Sequence, residues 1–249
     1  MKVFTVIGYT GSGKTTTIEN LIKEFVKRGL SVGTVKEIHF EAFRMDTEGK
    51  NTYRHREAGA DTVTALGPNE TDVLYKGAMN IYDILKHYTQ DIVILEGVRN
   101  AVVPEIVACS EDKEPEISGL TMALSGSYAN NHKGNYAGVP IINALTEAAR
   151  LAELVLQKTP PLMYDIDPKC CSECGTDCRG LLAEILKGER SYSDCVLARE
   201  KVNLQINGKS IVMVPFVQNI IRNVTLGLIS ELKGYDAKSE IVLTIKQND

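Results

Sequence analysis

One octapeptide near the start limits what this chain can fold into. Gly8-Tyr9-Thr10-Gly11-Ser12-Gly13-Lys14-Thr15 fits the pattern G-x-x-x-x-G-K-S/T. The pattern needs a buried strand before it and a helix after it, and both are legible. Val3-Phe4-Thr5-Val6-Ile7 is a short apolar run rich in β-branched residues. Ile18, Leu21, Ile22, Phe25 and Val26 recur at helical spacing, with Glu19, Lys23, Glu24 and Lys27 between them. Glycines let backbone N–H groups curl around phosphate oxygens, and the helix N-terminus adds partial positive charge. A glycine-rich turn with a chance lysine would need neither flank. The expectation is a nucleoside triphosphate site made by Gly8, Thr10, Gly11, Ser12, Gly13, Lys14, Thr15 and Thr16. Lys14 would reach the β and γ phosphates, and the Thr15 hydroxyl would ligate Mg²⁺.

The chain downstream repeats strand and helix patterns. Gly29 reads as a helix stop, and residues 31–35 as a second strand. Residues 36–59 form a polar stretch with His39, Arg44, Asp46, Lys50, Arg54, His55 and Arg56, without a clear period until about Thr52. A long polar loop beside a phosphate site is often functional. After a helix over 81–88, Asp91-Ile92-Val93-Ile94-Leu95-Glu96-Gly97 reads as a buried strand ending in a carboxylate. Ligands of open α/β sheets bind at such strand ends, so Glu96 would hold the Mg²⁺ shell or orient the attacking water. Further strands are expected over 105–108, 120–124 and 139–142, then a helix over 146–157. The expected fold class is α/β, a doubly wound and mostly parallel P-loop sheet over residues 1–158.

A composition shift follows. Residues 159–168, with Pro160, Pro161 and Pro168, read as an extended linker. Residues 169–249 read as a small α+β module. It would hold a hairpin turning at Asn207-Gly208-Lys209, a helix opened by Pro215 with Phe216, Ile220, Val224 and Leu228 on its apolar face, and a closing strand over 241–245. Five of the six cysteines, Cys170, Cys171, Cys174, Cys178 and Cys195, fall at its start. In a reducing compartment such a cluster suggests metal or redox chemistry. Three close thiolates and a distant fourth suit a 4Fe–4S cluster held by Cys171, Cys174, Cys178 and Cys195, with Cys170 to spare. Zinc in a closed four-thiolate site, a thiol–disulfide centre and uninvolved buried cysteines are the alternatives. Cys109 stands apart and reads as a small buried hydrophobe.

The net charge of −4 argues against a broad grip on nucleic acid. No run of about eighteen apolar residues suggests a membrane span. The first strand begins at once, with no signal peptide, so a cytoplasmic location is expected.

Residues 1 to about 158 resemble the molybdopterin-guanine dinucleotide biosynthesis protein B family, MobB. The likeness rests on the loop from Ile7 to Thr15, on Val32-Gly33-Thr34-Val35-Lys36 with His39 beyond, and on the stretch from Asp46 to Lys50. Thr52-Tyr53-Arg54-His55-Arg56-Glu57-Ala58-Gly59-Ala60 and Leu95-Glu96-Gly97-Val98-Arg99 complete it. The resemblance implies GTP as the nucleotide, slow hydrolysis, a homodimer, and a role assisting the guanylyltransferase that joins GMP to molybdopterin. Arg54 and Arg56 would then grip phosphate or the pterin, unless they are a solvated basic turn. Glu37-Ile38 and Val98-Arg99 depart mildly from the family pattern, and no Asn-Lys-x-Asp element reads guanine. The cysteine stretch is similar to small iron–sulfur domains of cofactor-handling proteins. That likeness leaves a second functional reading, a nucleotide-switched iron–sulfur carrier or adaptor for molybdenum or tungsten cofactor maturation.

Overall fold

The structure is a computed structural model, and it describes residues 1–165, 171–199, 202, 204–207, 209–211, 213–236 and 241–245. Strand β1 (Lys2–Ile7) enters the phosphate loop and continues as helix α1 (Lys14–Lys27). Gly29, at φ +77°, reverses the chain into β2 (Val32–Lys36). Helix α2 (Asn51–Glu57) leads to a hairpin of β3 (Thr62–Leu66) and β4 (Thr71–Tyr75), a separate two-stranded sheet. Helix α3 (Ile81–Leu85) starts at Asn80, whose side chain accepts from the Tyr82 N–H. Strands β5 (Ile92–Glu96), β6 (Glu105–Ala108) and β7 (Thr121–Ser125) follow, then a 3₁₀ turn (Ser127–Asn130). Next come β8 (Gly134–Tyr136), β9 (Val139–Ile141) and helix α4 (Ala148–Lys158).

The main sheet runs β2-β5-β1-β6-β7-β9-β8 and is parallel except for the β8–β9 pair. Alternation along the strands divides two apolar layers. Phe4, Val6, Ile92 and Ile94 face α1 and α4 through Ile18, Leu21, Phe25, Leu151, Ala152 and Val155. Val3, Val93 and Leu95 face Ile81 and Leu85 of α3 on the other side. The strand at the switch in winding direction is β1, with β5 on one flank and β6 on the other. A parallel sheet of this kind binds ligands beyond its C-terminal edge at that point.

The chain after α4 stays on the sheet. Pro161 bridges to Lys2, and Thr159 and Met163 are buried. Helix α5 (Cys178–Lys187) is capped by the Asp177 carboxylate, which accepts from the Gly180 N–H at 2.6 Å. Its Leu181, Leu182 and Leu186, with Cys195 between two 3₁₀ turns (Tyr192–Asp194, Val196–Arg199) and Leu197 in the second, join the same buried cluster as α1 and α4. The Lys158 ammonium donates to the Leu186 carbonyl at 2.5 Å. Strands β10 (Leu204–Ile206) and β11 (Lys209–Ile211) form the expected hairpin, with Asn207 at φ +51°. Helix α6 (Pro215–Ile229) starts at its proline, but Phe216, Ile220, Val224 and Leu228 are exposed rather than packed. Residues 241–245 are exposed and form no strand, which corrects that expectation. They pair with no strand among the described residues.

Leu182 tests whether α5 and the sheet share one core. We expect Leu182→Ala to cost about 2–5 kcal/mol and to move a single urea transition followed by both far-UV signal and tyrosine fluorescence. Two separated transitions, only one of them shifted, would overturn it.

Candidate nucleotide site

Register brings the site together. Pairing of β1 with β5 sets Val6 beside Glu96, and pairing of β2 with β5 sets Lys36 beside the same Glu96. The phosphate loop leaves β1 one residue beyond, so loop and carboxylate share one edge. Gly8 has φ +149°, and a Cβ there would fall 2.1 Å from the Ala108 carbonyl oxygen, so the loop passes β6 only as glycine. Gly13 is the N-cap of α1 at φ +94°.

Lys14 Nζ donates to the carbonyls of Gly8 (2.8 Å) and Tyr9 (2.7 Å), which holds the ammonium within the loop. Burial lowers its pKa, with Lys36 and Arg99 adding to the effect and Glu96 opposing it. Thr15 Oγ1 donates to Glu96 Oε1 at 3.2 Å, and Lys36 Nζ reaches the same oxygen at 3.2 Å. A hydroxyl and a carboxylate so placed are the hard oxygen donors that Mg²⁺ takes alongside phosphate oxygens and water. Thr15 and Glu96 therefore fit the ion as its protein ligands. Ser12 is buried, and its carbonyl accepts from the Ser127 N–H at 3.1 Å, tying the loop to the turn after β7.

A cleft opens beside the loop, lined by Tyr9, Arg99, Cys109, Ser110, Lys113 and Glu116. Tyr9 donates its hydroxyl to Glu116 (2.8 Å), and the Lys113 ammonium lies 3.5 Å from its ring centroid. Burial, with Glu116 nearby, pushes the Cys109 thiol up to about 11.

The two arginines of α2 are used differently. Arg56 Nη1 stands 4.0 Å from Asp46 Oδ2, a buried carboxylate that also accepts from the Thr52 hydroxyl at 2.8 Å. Arg54 points to solvent. No hydrogen bond or ion pair among the described residues joins either to the phosphate loop. Sequence reasoning on its own missed Tyr9, Lys113 and the paired role of Lys36. The last was legible only through the β2–β5 register.

Cys170 lies outside the described residues. Cys171, Cys174 and Cys178 are half-buried and Cys195 is buried, all against the main core. Arg190 clasps two of their neighbourhoods, donating to the Cys174 carbonyl at 2.8 Å and lying 3.7 Å from the Asp194 carboxylate. Cys174 Sγ donates to the Thr176 carbonyl at 3.3 Å. Among the described residues no three His, Cys, Asp or Glu side chains gather into a metal-holding group. Beside Cys178, Arg179 Nη2 lies 3.4 Å from the carbonyls of Arg99 and Ala101, and its Nη1 lies 3.7 Å from buried Glu105.

Cys109 supplies a pH test. A thiol raised from 9.0 to about 11 stays neutral in the folded state while the unfolded chain ionises. Stability is then unaffected below pH 9 and falls between pH 9 and 11. Urea midpoints should drop over that window, and less steeply in Cys109→Ala; equal slopes would refute the assignment.

Comparison with known proteins fits this geometry. The family model for molybdopterin guanine dinucleotide synthesis protein B, MobB, matches residues 3–123. A putative molybdopterin-guanine dinucleotide biosynthesis adapter protein of Methanocaldococcus jannaschii is 31% identical, over 98% of this chain and 97% of that relative. A probable adapter protein of the same description from Bacillus subtilis is 27% identical, over 56% of this chain and 83% of its own length. The crystal structure of Bacillus subtilis MobB superposes with a TM-score of 0.52 at 26% identity, covering 65% of this chain and 99% of that one. The α/β fold with its mostly parallel sheet is therefore shared with a MobB structure, and the chain belongs to the MobB family.

Proposed function

We propose that this chain is an adapter in molybdopterin-guanine dinucleotide biosynthesis that binds GTP with Mg²⁺ and hydrolyses it slowly. The observation that carries the nucleotide reading is the convergence of Lys14, Thr15 and Glu96 at one strand edge, with Thr15 Oγ1 3.2 Å from the Glu96 carboxylate. Backbone N–H groups at Gly11 and Gly13 would hold phosphate oxygens, and the Lys14 ammonium would neutralise charge between the β and γ positions. Mg²⁺, when bound, supplies electrostatic stabilisation of the phosphate oxygens. Glu96 would anchor it through the carboxylate and Thr15 through the hydroxyl. The adapter role is supported by the names of the relatives, and molybdopterin or its guanylyltransferase is the partner this reading implies. A homodimer is part of the reading, supported by Leu66, Val73 and Tyr75 left exposed on the β3–β4 hairpin.

Lys14→Ala tests the loop. GTP affinity, read with a fluorescent analogue, should fall roughly ten- to hundredfold while the thermal melt stays in place. Unchanged affinity would remove the loop from the site.

A second reading, a nucleotide-switched iron–sulfur carrier or adaptor, draws on one observation. Arg179, next to Cys178, bonds the carbonyl of Arg99 three residues beyond Glu96, so the cysteine helix abuts the segment that follows the metal-side carboxylate. Metal and sulfide content of protein purified without oxygen decides it. About four irons and four sulfides per chain support the cluster. Stoichiometric zinc instead points to a closed thiolate site and sinks the cluster, and the absence of both metals sinks the carrier reading.

A further inference from the structure

The metal-side groups fix which way a triphosphate would lie. Thr15, Glu96 and Lys36 are on the β5–β2 flank of the loop, so the terminal phosphate belongs there. The opposite flank of the loop rests on the turn after β7, where the Ser127 N–H donates to Ser12 and Gly126 backs onto Gly13. The nucleoside end therefore leaves over the C-terminal edges of β7 and β9. Two asparagines stand at that edge, Asn130 closing the 3₁₀ turn after β7 and Asn143 two residues past β9.

Their amides are oriented by chemistry. The Leu145 N–H, a donor only, sits 2.8 Å from Asn143 Oδ1. Asn143 Nδ2 must then face the other way, and it donates to Asn130 Oδ1 at 2.9 Å with the Ala129 carbonyl at 3.4 Å. The Asn143 carbonyl accepts from Thr146 and Glu147 (3.2 and 2.7 Å), so this residue is pinned at both ends. Asn130 is left with its oxygen turned inward and its NH₂ turned to solvent, a face that only donates. The nearby Glu111 carboxylate is engaged with Asn131 Nδ2 at 2.9 Å and His132 Nδ1 at 3.6 Å.

A donor-only amide distinguishes purines. Guanine presents N7 and O6, both acceptors, while adenine presents N7 beside an N6 donor. We propose that Asn130, held by Asn143, reads the 6-oxo edge of a purine nucleotide and makes this site select GTP over ATP. The proposal rests on the nucleotide reading above and adds the residue that sets base preference.

The test compares GTP, ITP, ATP and inorganic tripolyphosphate in one competition assay on the full chain. GTP and ITP, which share O6 and N7, should bind alike, and ATP roughly ten- to hundredfold more weakly. In Asn143→Asp the residue at 143 only accepts. Asn130 then turns its NH₂ inward and its oxygen outward, so the preference is lost or reversed toward ATP while tripolyphosphate binding stays unchanged. Asn130→Ala, a change at an exposed side chain, should also lose the preference and covers the case in which Asn143→Asp fails to fold. Equal GTP and ATP affinity in the natural chain, GTP preference surviving both variants, or ITP falling to the level of ATP would each overturn the role of Asn130. Failure to bind tripolyphosphate or any nucleotide would overturn the phosphate-loop reading itself, and this proposal with it.

Discussion

Everything at the candidate site depends on the pairing of β5 with its two parallel neighbours. Glu96 ends β5, and the register places Val6 on one side of it and Lys36 on the other. A shift of one residue in either ladder would turn the neighbouring side chain to the opposite face of the sheet. The apolar layers forbid that slip, because Phe4, Val6, Ile92 and Ile94 are needed on the α1 face and Val3, Val93 and Leu95 on the α3 face. Core packing therefore fixes the position of a carboxylate that itself lies at the rim. The hydrophobic term is spread over many side chains, whereas the site needs angstrom placement of three.

The same core extends across the composition shift at residue 159. Leu181, Leu182 and Leu186 join the buried cluster that holds α1, α4 and β1, so α5 is fixed relative to the sheet by burial. That fixity gives Arg179 its reach. One guanidinium spans the Arg99 and Ala101 carbonyls and the Glu105 carboxylate, the start of β6. The segment between Glu96 and Glu105 is thus held by the nucleotide edge at one end and by the cysteine helix along its length. Movement of this segment at either end would be felt at the other.

How much of this was legible beforehand follows the range of the interactions. The phosphate loop, α1 and the β5 carboxylate are local patterns, read from residues a few positions apart, and the structure reproduces their placement. The β3–β4 hairpin escaped notice because Thr62–Leu66 and Thr71–Tyr75 bury little, only Val63 being fully inside, so the sequence shows no strong alternation. Residues 241–245 show the reverse error: strong β propensity without a partner strand. β propensity is realised through neighbours, not by the backbone alone. Lys36 with Glu96, Arg179 with Arg99 and Asn143 with Asn130 are pairs separated by 60, 80 and 13 residues, made by topology rather than by spacing. No window along the chain could contain the first two. The asparagine pair lies close in sequence, but its amide orientation depends on one backbone N–H that becomes fixed only when the turn into α4 forms.

Charge gives the remaining connection between the whole chain and its site. A net charge of −4 disfavours polyanions at long range, yet Lys14 lies in the field of Lys36 and Arg99, with Glu96 as the opposing carboxylate. The pKa of Lys14 is lowered chiefly because burial disfavours its charge. A polyphosphate in the loop would add negative charge beside Lys14, and a divalent cation between it and Glu96 would take over the contact that Lys36 now makes. Beyond a screening length of roughly 8 Å at physiological ionic strength, the overall acidity of the surface prevails. Under the proposed nucleotide reading, a small, dense anion able to enter the loop would meet these cations at short range, where screening is weakest.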